Sequence, residues 1–178
     1  MTTVARRALA ILRRLWPTRR GAAAIEFALV LPIFLLFTGM IMENGVLLFD
    51  QAFLDFATAD AGRLIRTGQV QNGTGETAFK NQLCGDLSPM ISCSSLQINV
   101  ASASNPGFSS LDATLSTDAN GNLTASKFSP GGPGDDVLVQ VAYKRPYLVP
   151  WVGYAVSSTG LMLVFSTTAF QNEKYTGP

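Results

Sequence analysis

Between Ala22 and Met42 only Glu26 and Thr38 interrupt an apolar run of about twenty residues, the length at which a helix crosses a bilayer. Backbone polar groups in lipid must be satisfied within the segment itself, so such a run is read as a helix that enters or spans a membrane. Six arginines (Arg6, Arg7, Arg13, Arg14, Arg19 and Arg20) precede it, and the first charges after it are Glu43, Asp50, Asp55 and Asp60. The positive-inside rule then keeps the N-terminus cytoplasmic and sends the remainder outward.

Glu26 is the residue such a helix least tolerates. A carboxylate near the centre of a membrane helix costs about 2.5–3.5 kcal/mol on insertion scales, so it needs a partner or a boundary. If the chain is cut after Gly21, the new amine of Ala22 lies one helical turn from Glu26. That amine, or a neighbouring chain's, can pair with the carboxylate, and the acid falls in the first turn, where the helix dipole favours it. In an uncut anchor Glu26 lies instead at the cytoplasmic headgroup boundary, half solvated.

The run Arg20-Gly21-Ala22-Ala23-Ala24-Ile25-Glu26-Phe27-Ala28-Leu29-Val30-Leu31-Pro32 resembles the opening of TadE-like pseudopilins. Gly21, Ala22, Glu26 at the fifth position and aromatic Phe27 together resemble the prepilin signal of the tight-adherence (Tad/Flp) branch of type IV pili. Ala59 to Val70 is also similar to the corresponding stretch of that family, and Gln171 to Tyr175 loosely resembles its ending. The resemblance implies a bacterial inner-membrane protein, single-pass, with its head in the periplasm and a possible place in the pilus. It implies cleavage between Gly21 and Ala22 by a prepilin peptidase, with Glu26 and Phe27 as assembly and registry residues. The implied function is that of a minor pilin or pseudopilin needed for pilus assembly and surface attachment. Implied partners are the peptidase, other Tad pilins and pseudopilins, inner-membrane platform proteins and membrane lipid. An uncleaved periplasmic scaffold that binds the secretion apparatus is the alternative.

Composition narrows the other classes. Hydrophobic residues make up 47% of the chain and charged ones 14%, the balance of a membrane-associated rather than a disordered protein. The basic residues concentrate in the leader, leaving no basic patch for nucleic acid. The chain has no histidine, which removes His-ligated metals and His-based triads, and no cofactor is expected. Asp135, Asp136 and Glu173 are the obvious acids for an enzyme on a stalk, and loop acids are ordinarily just solvated, so no enzymatic activity is expected. Cys84 and Cys93 lie in the part facing an oxidising compartment, where a disulfide closes the short loop; two free buried thiols are the alternative. A general secretory signal fits less well, because its small-residue site, Ala57-Thr58-Ala59, lies beyond the apolar run.

The fold expected is α+β and pilin-like: a basic leader at 1–21, a long helix at 22–67 and an α/β head at 68–178. The helix is transmembrane over 22–42 and amphipathic over 43–67, where Phe49, Phe53, Phe56, Ala57, Ala61 and Leu64 recur at spacings of three and four. Gly68 is its stop. A short helix is expected over 76–87 with Phe79, Leu83 and Leu87 on one side, and strands over 96–100, 136–143 and 161–170 that cover the long helix. The Ser/Asn/Gly/Pro-rich segment 101–136 reads as a long loop, mobile or a contact surface, with a tight turn at Asn120-Gly121. The apolar connection 146–152 is read as core packing or as a loop that skims a membrane or a neighbouring subunit.

Overall fold

The computed structural model describes residues 21–71, 74–104, 107–124, 126–150, 153, 156–157 and 159–175. The arginine leader lies outside the described residues, as do Asn72, Gly73, Trp151 and Val152. Two compact units divide between Met42 and Glu43. Helix α1 (Ala22–Arg66) supplies residues 22–42 to the first and 43–66 to the second.

In the first unit α1 continues past Pro32, and Phe27, Leu29, Val30, Phe34 and Ile41 are all exposed. Among the described residues α1 is the one helix long and apolar enough to cross a membrane. Its first turn holds no acid. This corrects the expectation for Glu26: at 3.6 residues per turn, the fifth residue of a helix that starts at Ala22 opens the second turn, where the dipole has begun to fade.

The second unit is built on a three-stranded antiparallel sheet in the order β1-β2-β3, with β1 at Leu96–Ala103, β2 at Asp136–Pro146 and β3 at Leu161–Gln171. Val100 pairs with Val139 on one side, and Val139 with Thr168 on the other. The alternation of strand side chains sends Val137, Val139, Val141 and Tyr143 to the face that joins Leu54, Ala57, Ala61 and Ile65 of α1 in the core. Small residues let the layers approach closely: a Cβ on Gly62 would come within 3.1 Å of the Phe170 ring. Helix α2 (Gly75–Leu87) adds Phe79, Leu83 and Leu87 to the same core, the three expected from their spacing. The sulfurs of Cys84 and Cys93 are bonded, with Cα atoms 5.6 Å apart, tying the end of α2 to the turn before β1.

Two expectations are corrected by the packing. The buried stripe of α1 runs through Leu54, Ala57, Thr58, Ala61, Gly62 and Ile65, while Phe49 and Phe56 are exposed and Phe53 is half-buried. Phe49 and Phe53 contact each other instead, their ring centroids 5.1 Å apart. Segment 104–135 is also more than a free loop. Asn99 Oδ1 accepts from Lys127 N, Gln140 Nε2 donates to the Ala113 carbonyl, and Asp136 Oδ2 accepts from Gly107 N. These bonds stitch the segment to the sheet and explain why Leu138, Gln140 and Ala142, on the face of β2 away from α1, are buried as well. The turn at Asn120-Gly121 forms, with Gly121 at φ 71° and the carboxylate of Asp118 accepting from the N–H groups of Asn120 and Asn122. Asp60 accepts from Gln82 Nε2 at 2.9 Å, tying α1 to α2.

The end of α1 shows a sequence signal becoming geometry. Gly68 N donates to the Ile65 carbonyl and Gln69 N to that of Leu64, the paired bonds of a Schellman motif with Gly68, at φ 78°, in the left-handed position. The Tyr175 ring lies across this glycine, 2.8 Å from where a Cβ would stand. Gly68→Ala should therefore cost about 1–3 kcal/mol through left-handed strain plus displacement of Tyr175. Chemical denaturation of the full chain in detergent measures it, and an unchanged midpoint would refute the assignment of this turn.

Candidate functional site

Two groups of residues carry the chemistry. In the first unit, Gly21 directly precedes α1, Ala22 is its first helical residue, and Glu26 and Phe27 follow one turn later on an exposed surface. Glu26 is the only charged residue from Gly21 to Met42. A peptide bond at the very start of a helix is accessible to a protease in a way that a bond within the hydrogen-bonded ladder is not. Gly21, Ala22, Glu26 and Phe27, the residues the sequence singles out, thus lie together at the start of α1.

The second group is an ion cluster within the second unit. Glu43 and Asp50 stand two turns apart on one side of α1, and both are buried. Arg145, near the end of β2, reaches both: Nη1 lies 3.0 Å from Glu43 Oε1 and Nε lies 2.9 Å from Asp50 Oδ2. The other Glu43 oxygen, Oε2, accepts from the backbone N–H groups of Leu148 at 2.7 Å and Val149 at 3.2 Å. Tyr143 lies against Asp50, and burial, with that carboxylate beside it, raises its phenol above the usual tyrosine range, so it stays protonated. Buried charges are tolerated only when paired and hydrogen-bonded, which is the condition met here.

This arrangement can lock position; it holds no nucleophile beside a base. A one-turn slip of α1 along the sheet would leave at least one carboxylate buried without its guanidinium. The cluster flanks an open cavity of about 580 Å³ lined by Val46, Asp50, Met90, Tyr143, Arg145 and Tyr147 among others. Among the described residues no group of three or more His, Cys, Asp or Glu is placed to hold a metal. Sequence reasoning took Glu43 and Asp50 only as topological charges. Their seven-residue spacing, which puts both on one helical face, was the available signal. Nothing local pointed to Arg145.

A family model described as TadE-like protein matches residues 21–63. Over that stretch, about a quarter of the chain, the protein is similar to TadE-like proteins. Comparison with curated proteins and with solved structures gave no match. The TadE-like match covers Gly21, Ala22, Glu26, Phe27 and the whole apolar run, and extends over Glu43 and Asp50. It ends before α1 does and leaves Arg145 outside. The long apolar helix followed by a small antiparallel sheet is an α+β, pilin-like arrangement, and the matched stretch contains the whole apolar run that is long enough to cross a membrane.

Proposed function

We propose that this protein is a TadE-like minor pilin or pseudopilin required for assembly of the Tad pilus. A prepilin peptidase matures it between Gly21 and Ala22. In this reading residues 1–21 are a leader, 22–42 span the inner membrane with the N-terminus cytoplasmic, and the remainder is a periplasmic head that meets other pilins and platform proteins. The observation that carries the reading is the coincidence of Gly21, Ala22, Glu26 and Phe27 with the start of a long apolar helix inside the family match. After cleavage the Ala22 amine becomes a cation next to hydrocarbon, and Glu26 is the anion on the following turn. Attraction between one subunit's Glu26 and a neighbour's amine in low dielectric favours docked over undocked helices. Phe27 to Met42 hold the subunit in lipid beforehand and pack against neighbouring helices afterwards.

The test is the intact mass and N-terminal residue of membrane-extracted protein made with and without a Tad-type prepilin peptidase. A peptidase-dependent product that begins at Ala22 is expected. A chain that keeps its arginine leader would favour the uncleaved scaffold, and cleavage near Ala59 would make the N-terminal segment a secretory signal.

A further inference from the structure

Not one Asp, Glu, Lys or Arg occurs between Arg145 and Glu173. Part of that stretch is β3, whose inward face needs no charge, but the β2–β3 connection has exposed positions among its described residues, Leu148, Pro150, Val156 and Thr159. It is closed by its own hydrogen bonds: Gly153 N to the Val149 carbonyl, Ser157 N to that of Gly153, Gly160 N to that of Ser157, and Tyr147 N to that of Gly160. This built turn presents Leu148 at 55% exposure, Val156 at 69% and Leu161 at 37%, with Met90 across the cavity at 52%. A water-facing turn ordinarily carries charge, and large apolar side chains grouped on a surface mark a contact site.

The position of the turn selects the contact. Leu148 and Val149 hydrogen-bond Glu43 directly. Glu43 is the first charged residue after Glu26 and follows Met42, the last residue of the apolar run, so by chain connectivity it stands where a spanning helix leaves hydrocarbon. The same cluster lowers the obstacle to contact with lipid. Arg145 and two backbone N–H groups satisfy Glu43 internally, so the turn offers a low-dielectric phase apolar side chains and no carboxylate of its own, with Asp118 beside Leu161 the nearest exposed acid.

We propose that the β2–β3 turn, through Leu148, Val156 and Leu161, docks into the outer headgroup layer of the bilayer that residues 22–42 span. The inference rests on the membrane anchoring argued above. The turn acts as a foot for the second unit before the subunit leaves the membrane. Aliphatic residues backed by tyrosine on a turn that carries no charge, with the cation of Lys144 beside it, are the chemistry of the interfacial layer, where apolar side chains enter and a lysine meets headgroup phosphate.

The test uses the full chain in phosphatidylcholine–phosphatidylglycerol vesicles. Both native cysteines are bonded to each other, so Leu148→Cys supplies one free thiol for an environment-sensitive fluorophore. Pro133→Cys, at the opposite end of the eleven-residue β2–β3 ladder and roughly 30 Å away, is the control. We expect a blue-shifted Leu148 label, quenched several-fold more than the Pro133 label by phospholipid carrying a nitroxide near its headgroup, with Val156→Asp reducing that quenching. Equal quenching at the two positions in protein that still floats with the vesicles overturns the foot and leaves the anchor standing. Protection that grows with protein density at constant lipid would assign the turn to another subunit and also overturn it. Protein that does not float would remove the membrane reading itself.

Discussion

Arg145→Ala should destabilise the second unit by about 3–5 kcal/mol, the cost of leaving buried carboxylates without their cation, and a large share of the roughly 5–15 kcal/mol that holds a typical domain together. Glu43 keeps two backbone donors in that variant, but Asp50 loses its ion-pair partner altogether. The measurement is chemical denaturation of the full chain in detergent, followed by a spectroscopic signal of the sheet. Arg145→Met combined with Glu43→Gln and Asp50→Asn should recover most of the loss, because a neutral cluster pays little for burial. That recovery separates a charge effect from a mere packing effect of the long arginine stem. A loss below about 1 kcal/mol in Arg145→Ala, the value of a solvated surface pair, would show that water reaches the cluster and that it locks nothing.

The second large effect belongs to the assembly reading. Glu26→Ala should insert and be processed normally, yet leave a neighbour's Ala22 amine unpaired in lipid. At about 3–5 kcal/mol for an uncompensated buried charge, the docking equilibrium constant should fall by roughly two to three and a half orders of magnitude. Piliation scored by microscopy and by sheared-fibre yield, in cells that make the variant at parental level, reads the outcome. Glu26→Asp should retain part of the assembly, since the charge persists while its reach shortens. Normal piliation in Glu26→Ala would sink the registry mechanism without touching the similarity of residues 21–63 to TadE-like proteins.

The two predictions differ in how visible their residues were beforehand. Glu26 announces itself, because a charge in an apolar run violates the local pattern, and only function or a boundary explains it. Arg145 is an ordinary residue near the end of an ordinary strand, and its partner Glu43 is 102 residues away in the sequence. The helix face shows the same limit. From Phe49 to Leu64 nearly every face of α1 carries something apolar, so spacings of three and four fit the phenylalanines as well as they fit Leu54, Ala57, Ala61 and Ile65. The sheet chose the small-residue face, because closely packed layers need alanine and glycine where they meet, and it left Phe49 and Phe56 outside.

What the sequence determined by itself was everything encoded in a period or a run. The apolar stretch and its acid, the stop at Gly68, the one-sided short helix and three strands all arise from interactions among residues a few positions apart, which a linear reading samples directly. What only the tertiary structure decided was which face of α1 is covered, that the polar segment 104–135 lines the second face of β2, and that Glu43, Asp50 and Arg145 converge with the charge-free turn beside them. Those outcomes depend on closing long loops and on matching two surfaces in three dimensions. Their free energy resides in pairs that no local window contains.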